Sequence, residues 1–228
     1  MDGIKTELNE LLLNKTAFEI PLFGGIPVSQ STLVTWGIML LLTVLAIWLT
    51  HDLKMKPGRK QVVVEALVGF LNNFCKDSLG EKHWRTFAPY LGTIGLYLAC
   101  ANLAGLIGVT PPTKDLNVTA GLAIMSTIMI YGAQFRYKGL AGGIKKFGEP
   151  VAIVAPLNVL EIGIRPLSLC MRLFGNIFAG FVIMELIKLV VPVLLPIPFS
   201  LYFDVFDGLI QMIVFVFLST MFLAESLD

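Results

Sequence analysis

Three long stretches of this chain are almost free of charged residues, and short charged segments separate them. Each stretch reaches the roughly 18 apolar residues that an α-helix needs to cross the hydrocarbon core of a membrane. The three stretches predict membrane helices over about residues 33–50, 87–109 and 116–136.

Two further apolar segments, residues 150–190 and 197–225, are long enough to span a membrane but contain charged residues. A continuous helix over the first segment would be roughly 60 Å long, twice the ~30 Å hydrocarbon core. Its candidate breakers, Gly163 and Pro166, lie among apolar residues, and a proline in a membrane helix more often kinks the helix than reverses it. We predict one long, strongly tilted and kinked helix over 150–190, with a hairpin as the alternative. The last membrane helix follows over 197–225.

The segment between the first two spans has an amphipathic helical pattern. It predicts a helix over residues 60–76 that lies in the membrane interface, with a sixth span as the alternative. The apolar positions at helical spacing are Val64, Leu67, Phe70, Leu71 and Phe74. The predicted fold class is therefore an all-α integral membrane protein with five membrane helices and one interfacial helix. Residues 1–30 form an N-terminal segment, and residues 31–228 form a single membrane domain.

Composition supports a membrane protein and excludes other classes. The mean hydropathy is +0.79, and only 14% of the residues are charged, against roughly 25% in soluble domains. A formal net charge of +1 does not provide the excess of positive charge that is typical of nucleic-acid-binding proteins. The three cysteines have neither disulfide nor zinc spacing and are interpreted as packing residues; they are Cys75, Cys100 and Cys170.

The distribution of lysine and arginine predicts the orientation in the membrane. Residues 51–85 and 136–146 are rich in both, whereas the PPTKDLN turn after the second span has one lysine. Basic loops stay on the cytoplasmic side. With five spans, the N-terminus lies outside and the C-terminus lies in the cytoplasm.

The long segment 150–190 carries one stripe of polar side chains. At about 100° per residue, the members fall within a sector of about 80° on an ideal helix. They are Glu161, Arg165, Ser168, Arg172 and Asn176. A second stripe, within about 60°, follows on the last helix and consists of Asp204, Asp207 and Gln211.

These polar groups have a structural interpretation and a functional one. Glu161 pairs with Arg165, and Glu185 with Lys188, at helical spacing, which would hold the bundle together. Arg172 has no acidic residue within one turn on its own segment. An arginine at the centre of a membrane helix costs about 2.5 to 3.5 kcal/mol on insertion scales, so its partner comes from elsewhere. Because arginine is not deprotonated in proteins, Arg172 is predicted to be a fixed charge rather than a proton carrier.

Three blocks closely resemble the subunit a family of bacterial F-type ATP synthases. They are RPLSLCMRLFGNIFAG, GVTPPTKDLNVTAGLA and FDVFDGLIQMIVFVFLSTMFL. The resemblance covers most of the chain from about residue 57 onward. It implies a stator that touches a rotating ring of small two-helix c subunits. Two offset half-channels lead from opposite sides of the membrane to the ring carboxylates, and Arg172 lies between them as an electrostatic gate.

The resemblance also implies partners and a location. The expected partners are the c-ring, the b subunits of the peripheral stalk, the remainder of the F1Fo complex and the lipid bilayer. The chain itself would bind no nucleotide and no cofactor, and it would be one subunit of an enzyme complex. The transported ion would be H⁺, with Na⁺ as the alternative, and the location would be the bacterial plasma membrane.

Individual residues match the family pattern. Arg172 and Asn176 belong to the RLFGN block, and Gln211 matches a glutamine that faces the arginine. Asp204 stands where family members carry histidine or glutamate. The resemblance further implies polar residues at the outer entrance and at the cytoplasmic exit; these are Asp115 and Asn117, and Glu161 with Arg165, respectively.

One position departs from some family members. Nine residues after the arginine they carry an acidic residue or histidine, where this chain has Phe181. We hypothesise that Glu185, one helical turn further on, lines the outer half-channel in its place, together with Asp204 and Asp207.

Two other interpretations of the whole chain remain as alternatives. One is a secondary transporter of an anionic substrate, which requires a substrate cavity within this chain. The other is a purely structural membrane subunit.

Overall fold

The computed structural model describes residues 16–20, 26–51, 54, 58–146, 155–190 and 196–227. Within these ranges, five helices are long and apolar enough to cross a membrane, which confirms the predicted all-α membrane fold. The α-helices are α1 (Gln30–Thr50), α2 (Arg59–Leu103), α3 (Leu116–Lys146), α4 (Ala155–Val190), α5 (Pro196–Ser200) and α6 (Gly208–Leu227). Short 3-10 turns at Ala104–Ile107 and Pro112–Lys114 join α2 to α3, and a π-helical turn at Leu201–Asp207 joins α5 to α6.

A short antiparallel strand pair precedes α1, which the hydrophobic pattern did not predict. The strands are β1 (Thr16–Ile20) and β2 (Ile26–Ser29). Ser29 ends β2 and caps α1, because its hydroxyl accepts a hydrogen bond from the backbone N–H of Thr32 at 3.3 Å. The strand pair thus leads directly into the first membrane helix.

Helix α2 contains the predicted interfacial segment and most of the predicted second span, whose last residues form the 3-10 turn and the loop after it. The backbone leaves the helical conformation at Gly80, where φ is 72° and ψ is 168°. A side chain is strained in this left-handed region, so glycine makes the break possible. Gly139 interrupts α3 in the same way, with φ of 71° and ψ of 168°.

Helix α4 passes through Pro166 without reversing direction. The long-helix prediction is therefore confirmed over Ala155–Val190, and the hairpin alternative is wrong for this range. Residues 150–154 of the predicted element lie outside the described residues.

The last predicted helix is not a uniform α-helix. Residues Leu201–Asp207 form a π-helical turn, in which the backbone hydrogen bonds span one residue more than in an α-helix. The backbone N–H of Gly208 bonds to the carbonyls of Phe203 and Val205 at this junction. The ideal-helix projection that placed Asp204 and Asp207 on one stripe did not include this change.

Helix α6 is the centre of the bundle. It packs mainly on α2 and α3, and α4 packs mainly on α3. Two adjoining cores fill these contacts, one around Leu98, Leu173 and Phe215 and the other around Leu91 and Leu223. Cys75 and Cys170 are buried in these cores and Cys100 packs against one of them, which confirms that the cysteines are packing residues.

Candidate ion-conducting site

Polar clusters lie near both ends of α4, and Arg172 lies between them. Glu161 and Glu185 are 24 residues apart, or roughly 36 Å along an α-helix. This distance is close to the thickness of a hydrocarbon core. Arg172 is roughly 16 Å from the first position and roughly 20 Å from the second. The helix therefore carries charge at both ends of the bundle and at its middle.

Arg172 lies on an exposed face of α4. Its neighbours Leu167 and Met171 are 60% and 51% exposed, and Arg172 itself is exposed. Among the described residues, none forms a hydrogen bond or an ion pair with Arg172. The guanidinium is thus available to a group outside this chain.

One helical turn beyond Arg172, a hydrogen bond joins α4 to α6. Asn176 Nδ2 donates to Gln211 Oε1 at 2.7 Å. Gln211 is 2% exposed, and its Nε2 has no hydrogen-bond partner within the described ranges. The structure therefore brings these two predicted site residues together, and it leaves one buried donor of Gln211 unused.

A cavity of about 780 Å³ opens between α4, the π-helical turn and the end of α2. We call it the turn-end cavity, because residues 108–111 of the turn between α2 and α3 contribute to its wall. Its inner wall includes Asn176, so the cavity extends to within one helical turn of Arg172. Its charged lining residues are Glu185, Lys188, Asp204 and Asp207.

Asp204 is held tightly in the wall of this cavity. Its Oδ2 accepts a hydrogen bond from Ser200 Oγ at 2.6 Å. On the other side, a Cβ at Gly105 would lie only 2.5 Å from Asp204 Oδ1. Asp204 therefore occupies space that is available only because residue 105 has no side chain.

The π-helical turn that carries both aspartates is anchored to α2. Asn102 Nδ2 donates to the Gly208 carbonyl at 2.8 Å, and Asn102 Oδ1 accepts from Thr113 Oγ1 at 3.0 Å. All three residues are buried. This network fixes the junction between the π-helical turn and α6, and π-helical turns occur frequently at functional sites.

Glu185 both lines a cavity and forms an ion pair. It lines the turn-end cavity, and it accepts a 2.8 Å ion-pair contact from Lys188. The carboxylate is 16% exposed and the lysine side chain is 50% exposed. Phe181 lines the same cavity, and the Nζ of the buried Lys114 lies 3.8 Å from its ring centroid.

Asp115 and Asn117 do not line the turn-end cavity. Asp115 is 2% exposed. Its Oδ1 accepts the backbone N–H of Asn117 at 3.0 Å, and its Oδ2 accepts from Ser29 Oγ at 3.3 Å. In this arrangement Asp115 caps the start of α3 and links it to β2, so its contacts are those of a structural residue.

At the opposite end of the bundle, one arginine bridges two helices. Arg165 Nη2 contacts Glu161 Oε2 on α4 and Glu225 Oε1 on α6, each at 2.6 Å. The arginine side chain is 15% exposed, whereas the two glutamates are 47% and 57% exposed. Phe222 lies beneath the guanidinium, 5.1 Å from its carbon to the ring centroid. We call Glu161, Arg165 and Glu225 the bridging triad; Ser168 lies one turn further along α4 and is exposed.

The sequence pattern missed three members of these clusters. Glu225 follows Gln211 by 14 residues and lies within about 40° of it on the helix, so an extended second stripe would have found it. Asn102 and Lys114 lie in or beside apolar stretches with no periodic polar pattern. Only the tertiary contacts of Asn102 and Lys114 show that they belong to these clusters.

Within the described ranges, no three His, Cys, Asp or Glu side chains group closely enough to ligate a resident metal ion. The fold defines a multi-pass α-helical membrane protein that carries charged side chains inside the bundle.

The chain belongs to the ATP synthase A chain family, whose model matches residues 32–224. It is 35% identical over 219 residues to a protein of Propionigenium modestum named "ATP synthase subunit a, sodium ion specific", with 89% of this chain and 75% of that relative covered. Membership in the ATP synthase A chain family makes this chain an ion-translocating component of the membrane Fo sector. It also implies that the rest of the F1Fo complex is its partner.

Proposed function

We propose that this chain conducts ions to and from a rotating ring through two separate half-channels, with Arg172 as the charge that separates them. One observation carries the proposal. The turn-end cavity and the bridging triad lie at opposite ends of the same helices, and Arg172 lies between them on the exposed face of α4.

The turn-end cavity is the proposed outer half-channel. Three of its four charged lining residues are acidic, and the fourth, Lys188, is paired with Glu185. A cavity with an excess of carboxylates attracts cations and raises their local concentration. Asp204, Asp207 and Glu185 would therefore collect the ion, and Asn176 would mark the point where it leaves for the ring.

The bridging triad marks the proposed inner half-channel. Two carboxylates share one guanidinium there, so the cluster retains a formal charge of −1. The surplus negative charge is attractive to a cation that leaves the ring on this side. Ser168, which lies between Arg165 and Arg172 on α4, would line the proposed path from the triad toward Arg172.

The exposed face around Arg172 is the proposed contact with the ring. A ring carboxylate that faces Arg172 is held ionised by the fixed positive charge. It thus gives up its ion to one half-channel and is reloaded from the other as the ring turns. Moving one charge through 100 mV is worth about 2.3 kcal/mol, so a direct leak between the half-channels would waste the driving force.

Asn176 and Gln211 are proposed to support the gate. Their hydrogen bond leaves the Gln211 Nε2 as a buried donor next to the path between the cavity and Arg172. A buried donor without a partner is costly, and an arriving carboxylate oxygen would satisfy it.

The proposed assembly includes a c-ring, b subunits of a peripheral stalk and the soluble ATPase sector. The proposed location is the bacterial plasma membrane, with the turn end outside and the C-terminus in the cytoplasm. The basic residues of segments 51–85 and 136–146 support this orientation.

An anion transporter is less well supported. It requires a cavity lined by positive charge, whereas the turn-end cavity has three acidic residues and one paired lysine in its lining. Arg172 lies outside the residues that line this cavity. The charge of the cavity therefore favours a cation.

Replacement of Arg172 tests the proposed gate. In complexes purified and reconstituted into liposomes, we expect Arg172→Ala to abolish ATP-driven ion pumping and ATP synthesis, because nothing then keeps the two half-channels apart. Arg59→Ala, a change of an exposed arginine at the start of α2, serves as the matched control and should retain wild-type rates. Coupled transport at a normal rate in Arg172→Ala complexes would refute the gate.

The ion requires its own measurement, since a relative is named as sodium ion specific. H⁺ and Na⁺ would follow the same path. Stimulation of ATP hydrolysis by Na⁺ in the assembled complex identifies Na⁺ as the ion, and the absence of stimulation with pumping of protons identifies H⁺.

A further inference from the structure

The last two turns of α1, residues 43–50, hardly touch the rest of the chain. Leu49 is the only one of these eight residues that is even partly buried. Ile47 and Trp48 are 61% and 60% exposed. The earlier part of α1 does pack on the bundle, where Ser31 and Ile38 are buried. The end of this membrane helix therefore presents an apolar surface that the described chain does not cover.

The first part of α2 has an exposed apolar face of its own. Val63, Leu67 and Phe70 lie within about 60° of one another on an ideal helix, and they are 67%, 49% and 72% exposed. Cys75 and Leu79 lie on another face and fill a core of the bundle. Because α2 packs on the bundle through that other face, the exposed one is free for a contact outside the chain.

Basic side chains lie between these two apolar surfaces along the chain. Residues 51–61 contain one acidic residue, Asp52, and four basic residues; the basic ones are Lys54, Lys56, Arg59 and Lys60. Lys54, Arg59 and Lys60 are exposed. Within the part of the chain that the structure describes, no carboxylate pairs with any of these three. The surface therefore carries a local excess of positive charge.

Two contacts fix the basic residues at the end of the membrane span. The Nζ of Lys60 lies 4.4 Å from the centroid of the Trp48 ring, which ties the start of α2 to the last turn of α1. The Gln61 side chain closes the intervening loop, because its Oε1 accepts the backbone N–H of Lys54 at 3.0 Å and its Nε2 donates to the Lys54 carbonyl at 3.1 Å. Tryptophan is enriched at the boundary between membrane and water. Lys54 and Lys60 are thus held near the level of the lipid headgroups.

The acidic residues of this part of α2 lie away from the basic cluster. Glu65 accepts a hydrogen bond from Gln61 Nε2 at 2.7 Å, and it lies about 160° from Val63 on an ideal helix. Asp77 shares the side of Val63 but lies roughly 25 Å beyond Lys60 along the helix. The positive charge at the start of α2 is therefore not cancelled from its own helix.

We propose that this surface binds an anionic phospholipid, whose phosphate is held by Lys54, Arg59 and Lys60 and whose acyl chains pack along the last two turns of α1. Basic clusters next to a membrane span attract anionic lipids. A helix with an exposed apolar face beside basic residues is suited to the bilayer surface. In the orientation proposed above, the lipid belongs to the cytoplasmic leaflet, and its binding does not depend on the half-channels.

A lipid fits both parts of this surface better than a protein helix does. A membrane helix of another subunit would cover the apolar turns of α1 but would leave the three basic residues without a counter-charge. An anionic phospholipid supplies the apolar chains and the negative charge together. The Lys60 contact with Trp48 places the charge directly at the end of the apolar turns.

Photoactivatable lipids test the site directly. Purified F1Fo complexes are placed in phosphatidylcholine nanodiscs with a trace of phosphatidylglycerol or phosphatidylcholine that carries a diazirine in one acyl chain. After illumination and digestion, mass spectrometry measures the probe on peptides that contain residues 43–50 and 61–70. We expect the phosphatidylglycerol probe to label these peptides more strongly than the phosphatidylcholine probe in wild-type complexes.

Removal of the positive charge should abolish this preference. A basic residue near a membrane surface contributes about a fivefold preference for anionic lipid. The triple variant Lys54→Gln/Arg59→Gln/Lys60→Gln should therefore lose a factor of about ten or more. The matched control is Lys76→Gln/Lys82→Gln/Arg85→Gln, which removes the same charge from a later part of α2 and should stay within about twofold of wild type.

A single substitution gives an answer if the triple variant does not assemble. Arg59→Gln should lower the preference by about fivefold, and Arg59→Lys should retain it because the charge is kept. Added inorganic phosphate and chloride at equal ionic strength should lower the preference equally, since both act only by screening. A stronger effect of phosphate would identify a site for a free anion and overturn the lipid assignment.

Equal labelling by the two probes in wild-type complexes would also overturn it, as would equal losses in the basic triple variant and its control. Wild-type peptides that neither probe labels would show that another subunit covers this surface. None of these results changes the case for the Arg172 gate, because every variant in the series keeps Arg172 and the residues of the turn-end cavity.

Discussion

The two ends of this bundle hold acidic residues in different ways. At the turn end, Asp204 and Asp207 line a cavity of about 780 Å³, and neither is paired with a base among the described residues. At the opposite end, Glu161 and Glu225 are both tied to Arg165 at 2.6 Å. The first arrangement leaves carboxylates available to an ion, whereas the second shares them with a fixed cation.

The difference predicts that the carboxylates at the two ends of the bundle bind cations with different strength. Unneutralised carboxylates in a cavity concentrate cations from dilute solution. Carboxylates that already share a guanidinium bind an additional cation weakly and release it readily. Under the proposed function, this difference in pairing would favour uptake at the turn end and release at the other end.

The largest effect is expected at the turn end. Asp204→Asn removes a titratable group from the cavity and should reduce ATP synthesis by about tenfold or more, because a neutral amide exchanges no proton near neutral pH and binds a metal cation more weakly than a carboxylate does. Glu185→Gln should reduce it less, by about threefold, since Lys188 already neutralises that carboxylate. ATP synthesis in reconstituted complexes measures both.

Equal rates in Asp204→Asn and wild-type complexes would contradict the role given to the cavity. An unchanged rate in Glu185→Gln alone would leave Glu185 as no more than the ion-pair partner of Lys188.

The position of Asp204 is the second point at which the comparison can be tested. A Cβ at residue 105 would lie 2.5 Å from Asp204 Oδ1, so Gly105→Ala should displace the carboxylate from its hydrogen bond with Ser200. We expect a loss of about fivefold in ATP synthesis, because a displaced group no longer meets the ion in the correct place. Gly121→Ala is the matched control, since a Cβ added there would meet no atom within 4 Å.

Retention of full activity in Gly105→Ala complexes would mean that Asp204 tolerates movement and that the fit around it carries no function.

The smallest effect is expected at the bridging triad. Arg165→Met leaves Glu161 and Glu225 without their shared cation, and both carboxylates are about half exposed, so solvent screens much of the resulting repulsion. We expect a loss of stability of about 1 kcal/mol and a decrease in transport of about threefold, with partial recovery in Arg165→Lys. Thermal unfolding and ATP-driven pumping measure the two quantities separately.

A decrease in Arg165→Met that exceeds the one in Asp204→Asn would reverse the comparison, because the paired end would then be the more sensitive one.

The hydrophobic pattern predicted the membrane helices well. Long uncharged stretches have few alternatives to a membrane span, because backbone polar groups in lipid must be satisfied within the helix. The same pattern did not predict the break at Gly80 or the π-helical turn at Leu201–Asp207. Both are local changes in backbone geometry that leave the average hydropathy of the segment unchanged.

The prediction of the site succeeded where residues share a helix and was incomplete where they do not. Helical spacing grouped Glu161 with Arg165, and the structure adds Glu225 from 60 positions further along the chain. Asp115 and Asn117 belong to a block with family resemblance, yet their contacts cap α3 rather than line the cavity. Their proposed place at the outer entrance stays a prediction.

The sequence by itself determined the membrane class, the number of spans and the isolated position of Arg172, because these follow from composition and from the helical period. Only the tertiary structure decided that Asp204 lies against Gly105, that Lys114 lies behind Phe181 and that Glu225 joins Arg165. Each of these contacts joins residues from different elements. Their distances depend on how the helices pack, and no periodicity within a single helix encodes that packing.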